Sequence, residues 1–300
     1  MRQLVKKIVP VRARQLIKDV NQMAVFGLPN PLMSSVQLTP RATQWYESLR
    51  DTGIVKIEDD TFRDIAAYLE REYFQPIEAD SSSFLGRAEP VYGFGDKTRY
   101  VADTNQARFV AGGTEISASI SFADPQLKPL FAHDELARVL RKYYGRQPYH
   151  RNQPLLQKIS LRPGQVALGN GNFHVDHLYQ ISFMLLVSDV GESSTHMEYC
   201  IGSNRRQMIR EGIEIPRDAC EEKALDYPLF SCTGKKGTLF VFDTSGFHRA
   251  KYMSSSTRKM LHLNITTGHN LGGFIDRRSS IAWLPGQPDY IQRMFRFLKD

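Results

Sequence analysis

The chain has 300 residues, 41% hydrophobic and 24% charged, which excludes wholesale disorder and fibrous repeats and allows one large domain or two small ones. Cys200, Cys220 and Cys232 are too few and too odd in number for a disulfide framework, and no CxxC pair offers a finger-type zinc site. No uncharged apolar run nears the ~18 residues of a membrane span and no signal-type stretch opens the chain, so a reducing, cytoplasmic setting is expected.

The formal net charge of +7 is concentrated at the start, where Arg2, Lys6, Lys7, Arg12, Arg14 and Lys18 face only Asp19. The plain reading of this arm is a solvated helix face. The sharper one is a basic amphipathic segment touching a membrane surface or an acidic partner, although Pro10 interrupts it. Thr39-Pro40 then supplies an N-cap hydroxyl and a proline at the first helical position, and the helix is expected to stop near Gly53. Ile54–Ile57 reads as a short strand. Asp59 or Asp60 caps a second helix with Phe62, Ile65, Ala66, Leu69 and Tyr73 at helical spacing.

Residues 79–123 lack a sustained period and read as a loop with one or two short strands. A lid is expected there, with Arg87, Tyr92, Phe94, Lys97, Arg99 and Tyr100 as candidate contacts. Asp124-Pro125 opens another helical region, and a helix from Asp134 to Tyr144 ends at Gly145. From residue 155 the pattern turns to short strands: Leu155–Leu161, a β-rich stretch over Phe173–Asp189, Met197–Ile201, Thr238–Phe242 and Lys259–Ile265. Asn204–Lys223 is helical or irregular, and Pro288–Leu298 reads as a closing helix. Helices first and antiparallel-looking strands second predict one α+β domain with a sandwich or barrel. Its expected parts are the arm (1–22), a mainly helical cover and lid (23–150), the core strands (151–270) and a closing segment (271–300).

His174 and Asp176 stand two apart on a predicted strand, so they share a face. His248 lies just after the strand Thr238–Phe242, and Arg258 begins the next. Two imidazoles and a carboxylate suit one face of an octahedral Fe(II) and leave adjacent positions open for a cosubstrate and O2. A guanidinium grips a carboxylate with two parallel hydrogen bonds. On the last strand Arg258, Met260, His262 and Asn264 share one face, read as the inside of a ligand-binding barrel. Lys259, Leu261, Leu263 and Ile265 share the other, read as packed under helices. His177 and His196 read as structural or supporting residues, His262 as a pocket wall, and Cys200 as a small buried strand residue. His133, His150 and His269 carry no signal.

Gln157–Gly164 (QKISLRPG), Phe173–His177 (FHVDH), Met197–Asn204 (MEYCIGSN), Gly237–Ala250 (GTLFVFDTSGFHRA) and Arg258 together resemble the phytanoyl-CoA dioxygenase-like branch of the Fe(II)/2-oxoglutarate oxygenases, over about residues 150–268. The resemblance implies a double-stranded β-helix (a cupin-like jelly roll) with helices packed on one sheet. It implies His174, Asp176 and His248 as iron ligands and Arg258 as the partner of the distal carboxylate of 2-oxoglutarate. Gln157 matches a strand position facing the active site, and strand parity adds Ser182. The implied reaction uses O2, releases succinate and CO2, and hydroxylates an unactivated C–H bond; a carboxylate at Asp176 favours this over halogenation. Gly202-Ser203-Asn204 stands where the family usually has GSH, and no Ser or Thr stands two residues after Arg258. Asn264 replaces the second arginine of the nucleic-acid dealkylase branch. The expected partner is therefore a small molecule, anionic or glycan-like, and not nucleic acid. Two rivals stay open: a jelly-roll module that binds without turnover, and a metal hydrolase on the same ligands, which the placement of Arg258 disfavours.

Overall fold

A computed structural model describes residues 35–79, 106–110, 113–161, 171–176, 179–204, 217–254, 257–267 and 276–298. The basic arm, the six lid candidates, His177 and His269 lie outside them. Helix α1 (Pro40–Thr52) starts where the sequence places it: the Thr39 hydroxyl accepts from the Ala42 amide, and Gly53 closes the helix at φ 82°. Strand β1 (Ile54–Glu58) follows at once. Asp59 caps α2 (Asp60–Leu69) by accepting from the Thr61 amide. A π-helical turn, Glu70–Phe74, leads into α3 (Gln75–Ala79). Asp124 opens the 3-10 turn Pro125–Leu127 ahead of α4 (Lys128–Phe131). Helix α5 (Asp134–Tyr144) is capped by His133 and ends at Gly145 in the left-handed region.

Among the described residues, the stretch read as a loop with one or two short strands holds two. Strands β2 (Gln106–Val110) and β3 (Gly113–Ser119) form a hairpin-like pair. β3 also pairs along the whole of β5 (Leu155–Leu161). Partner hydrogen bonds define these strands where the local apolar pattern is weak. The closing helix is shorter than expected: α7 spans Asp289–Met294, and buried Phe295 and Leu298 follow it in turns.

Among the described residues two antiparallel sheets form. The larger runs β1-β9-β6-β11-β5-β3-β2, with β4 (Tyr149–His150) also on β11. Here β6 is Gln180–Leu186, β9 is Thr238–Asp243 and β11 is Arg258–Thr266. The smaller runs β10-β7-β8, from His248–Ser254, Ser194–Cys200 and Leu229–Ser231.

Strand parity sorts the larger sheet into two cores. Ile181, Phe183, Leu185, Leu239, Val241, Leu261, Leu263 and Ile265 join Trp45, Leu49, Phe62, Ile65, Leu69 and Leu140 of the helices. Met184, Leu186, Phe240, Phe242 and Met260 on the other face join Met197 and Tyr199 of β7 and Cys232. Each large apolar side chain so enclosed contributes about 2 kcal/mol. Burial on both faces explains why β6 and β9 read as continuous apolar runs rather than alternating ones. Phe173, Cys200, Cys220, Ala224 and Phe247 form a third cluster, its Cys220 and Ala224 on α6 (Arg217–Ala224). The chain is thus α+β. Among the described residues no helix is long and apolar enough to cross a membrane.

Candidate metal centre

His174 and His248 face each other through their backbones. Each amide donates to the other's carbonyl at 3.0 Å, a hydrogen-bonded antiparallel pair. The Asp176 amide continues the pairing by donating to Thr244 O at 2.8 Å. The strand-parity argument therefore holds over a piece of chain only long enough for one bridge. His248 does not trail a strand as its position after β9 suggests; it opens β10.

The side chains converge. Nε2 of His248 lies 3.5 Å from one Asp176 carboxylate oxygen, and Nε2 of His174 lies 4.0 Å from the other. The three donors can be chosen within 4.8 Å of one another. Atoms bound to one ion at ~2.1 Å lie no more than ~4.2 Å apart; each imidazole is that close to one of the two Asp176 oxygens, and the whole set would draw in by a few tenths of an ångström around an ion. The imidazoles are tautomerically prepared. His174 Nδ1 lies 2.9 Å from the Asn172 carbonyl and His248 Nδ1 lies 2.9 Å from the Gly246 carbonyl. A carbonyl can only accept, so each Nδ1 carries a proton, and in the neutral ring Nε2 is then the nitrogen left to bind a metal. The side chain of His248 is 8% exposed and that of Asp176 43%, so the cluster is buried on one side and open on the other. Three side chains would hold an ion here, fewer than the four protein ligands of a closed structural site.

The turn that presents His248 is held from three directions. Buried Asp243 accepts from the Ser245 amide at 2.9 Å and the Ser245 hydroxyl at 2.7 Å through one oxygen. Its other oxygen accepts from the Tyr143 hydroxyl at 2.7 Å, at the end of α5. Burial pushes the Asp243 carboxyl above the usual range while these bonds pull it down. The Gly202-Ser203-Asn204 turn buttresses the same loop. Ser203 Oγ accepts from the Phe247 amide at 2.8 Å, and Asn204 donates to the Tyr143 oxygen at 3.0 Å. A methyl at Gly246 would run into the Tyr199 hydroxyl, so the close approach requires glycine. Asp243 and Tyr143 carry no sequence signal; a polar residue at a strand end and a tyrosine in a helix are each ordinary by themselves.

The inward face of β11 carries Arg258, Met260, His262 and Asn264, with Met260 in the core between the sheets. Arg258 is 4% exposed. Gln157 stands opposite Met260, which puts it on the same face. Ser182 donates to Asn264 Oδ1 at 2.5 Å, and the Gln180 amide donates to the same oxygen at 3.3 Å. His262 keeps some exposure yet is surrounded by protein: burial lowers its pKa to about 4, with Asp176 opposing and His248, Arg258 and Arg151 adding to the depression. Arg258 stands at the start of β11, and the triad gathers within 4.8 Å around Asp176. Arg151 was not singled out by the sequence. Its amide donates to Asn264 O at 2.9 Å and its guanidinium donates to Gln180 Oε1; burial disfavours its charge and Asp176 opposes that.

No protein-family model and no curated protein matches the sequence. Solved structures of similar shape include the non-heme α-ketoglutarate-dependent carbocyclase SnoK from nogalamycin biosynthesis, at 15% identity and a TM-score of 0.48 over 77% of this chain and 84% of that one. The epimerase SnoN in complex with Fe3+, α-ketoglutarate and nogalamycin RO gives 13% identity and 0.49 over 75% and 83%. EctD from S. alaskensis with bound Fe gives 16% and 0.48 over 86% and 84%. Likenesses at these scores assign no chemistry to this chain.

Proposed function

We propose that the chain is an Fe(II)- and 2-oxoglutarate-dependent dioxygenase of the phytanoyl-CoA dioxygenase-like type, built on a double-stranded β-helix and hydroxylating an unactivated C–H bond of a small molecule. One observation carries the reading: two imidazoles with their Nδ1 protons tied to carbonyls turn their Nε2 lone pairs toward the Asp176 carboxylate. A hard carboxylate with two imidazoles and no thiolate suits ferrous iron. Bound there, iron would supply dioxygen activation at the expense of 2-oxoglutarate, which leaves as succinate and CO2.

The remaining work falls to side chains. Arg258, inward and buried, receives the distal carboxylate of 2-oxoglutarate through its planar fork. Gln157, on the same face, lies along that binding groove. Ser182 is tied to Asn264, so it shapes the wall rather than offering a loose hydroxyl. The buried side of the cluster, under His248 and Phe242, limits water near the reacting atoms. Three buried free thiols fit a reducing compartment.

The test is succinate formation from 2-oxoglutarate with Fe(II) and air, read together with a mass-spectrometric screen of metabolite pools for a product heavier by one oxygen atom. Asp176→Ala is expected to abolish both. Turnover that persists under nitrogen would instead favour a hydrolase and end the oxygenase reading.

A further inference from the structure

The chain that carries His174 and Asp176 has a second face. Phe173 and Val175, of opposite parity, turn into the cluster of Cys200, Cys220, Ala224 and Phe247. This piece belongs to neither sheet and meets β10 through the single bridge at His174, so side chains must help to hold it. Arg249 follows His248 on β10 and stands opposite Glu198 of β7. Nε and Nη2 of Arg249 both lie 2.7 Å from one Glu198 oxygen. Glu198 is 3% exposed, and Lys251 donates to its other oxygen at 2.9 Å. The guanidinium so fixed lies over the Phe173 ring, 4.2 Å from its centroid, and Phe173 is itself buried. Helix α6 closes the circuit. One oxygen of Glu221 accepts from the Phe173 amide at 2.7 Å, and the other lies 3.8 Å from Arg249 Nη1.

We propose that Arg249 is a positioning residue for the metal centre: stacked on Phe173, it locks the His174–Asp176 piece against β10 and so sets how the three metal-binding side chains converge. This rests on the triad being the metal site proposed above. Phe173 adjoins His174 in the chain and Arg249 adjoins His248, so any slip of the ring beneath the guanidinium passes straight to the two imidazoles. A cation over an aromatic face is attracted by the ring's negative charge, and more strongly where water is excluded. Arginine can do both jobs at once, because its flat group meets a carboxylate edge-on and a ring face-on. A lysine ammonium is a point charge on a flexible stem. An ion pair serving the smaller sheet alone needs Glu198, but neither the Phe173 ring nor Glu221.

The test titrates the full metal-free chain with Mn(II) under anaerobic conditions and records the visible absorption of its Co(II) form, with urea unfolding of each variant alongside. Arg249→Met and Phe173→Leu are each expected to raise the Mn(II) Kd about tenfold, as residues that orient metal ligands do, and to shift the Co(II) bands. The double variant is expected to be little weaker than either single one, because both remove the same contact. Lys251→Met is the control. It takes the other cation from Glu198, so it is expected to lower the urea midpoint while the Kd stays within about twofold of wild type. The Arg249 side chain is 28% exposed, so Arg249→Met removes little packing and carries the test should Phe173→Leu not fold. An unchanged Mn(II) affinity in Arg249→Met, additive losses in the double variant, or an equal loss in Lys251→Met overturns the inference and leaves the metal centre standing. A wild-type Kd no tighter than that of Asp176→Ala overturns both.

Discussion

His150 shows what one buried side chain imposes on the whole equilibrium. It is 1% exposed, packed against Phe122 and Phe295, and its Nε2 lies 3.1 Å from the Phe131 carbonyl. Burial lowers its pKa from 6.5 to about 3. Below the unfolded value the unfolded chain takes up a proton that the folded chain refuses until about 3. The stability His150 protects is therefore whole above that unfolded value and is lost as pH falls. At pH ~5 the loss is about 2 kcal/mol from this residue alone, and His262 acts in the same direction. Urea unfolding of wild type and His150→Gln at neutral pH and at pH ~5 checks it. The variant is expected to lose about 2 kcal/mol less between the two conditions, and equal losses would refute the assignment. Nothing in the sequence marks His150, because its burial is set by helices and strands distant in the chain. The triad was legible by contrast, since parity within FHVDH is local and His248 follows a readable strand.

At the scale of elements, the turn between β9 and β10 leads into the candidate ligand His248 and is braced by α5. Tyr143 donates to buried Asp243 and accepts from Asn204. Tyr143→Phe removes the donor and leaves a buried carboxylate oxygen without it, a cost of about 1–3 kcal/mol. The same change loosens the loop that orients His248. We expect both a lower urea midpoint and a several-fold weaker Mn(II) affinity, measured by titration under anaerobic conditions. A stability loss with unchanged metal affinity would show that α5 supports the fold but not the ligand. Gly246→Ala is expected to do both more severely, because its new methyl meets the Tyr199 hydroxyl. The caps at Thr39, Asp59 and Gly145 were legible because capping is decided within four residues. For β2 and β3 only their presence within residues 79–123 was legible and not their bounds, because β5 pairs with β3 from afar. The Gly202-Ser203-Asn204 turn could be located but its work could not, since Phe247 and Tyr143 are its partners.

Across the whole molecule, parity on β11 separates a helix-covered core from a second interior between two sheets, and the candidate site belongs to the second. That division was readable from Arg258–Ile265 alone. The Arg151 network was not, because its members come from residues 151, 180, 182 and 264 and meet only when β4, β6 and β11 assemble. The site joins the chain in a similar way: His174 and Asp176 come from one segment and His248 from the edge of the smaller sheet. An ion bound by all three ties these parts in the folded state and has no equivalent site in the unfolded one, so it must stabilise folding. At a concentration about a hundredfold above its dissociation constant the gain is about 2.7 kcal/mol. Thermal unfolding with Mn(II) under anaerobic conditions is expected to show an upward shift that a chelator reverses and Asp176→Ala lacks. 2-Oxoglutarate should add a second increment only when metal is present. Arg258→Gln should lose that second increment and keep the first if, as proposed, Arg258 holds the cosubstrate and not the ion. A midpoint indifferent to Mn(II) would mean that the three side chains form only an ion-pair cluster. A 2-oxoglutarate increment that survives in Arg258→Gln would move the cosubstrate away from β11.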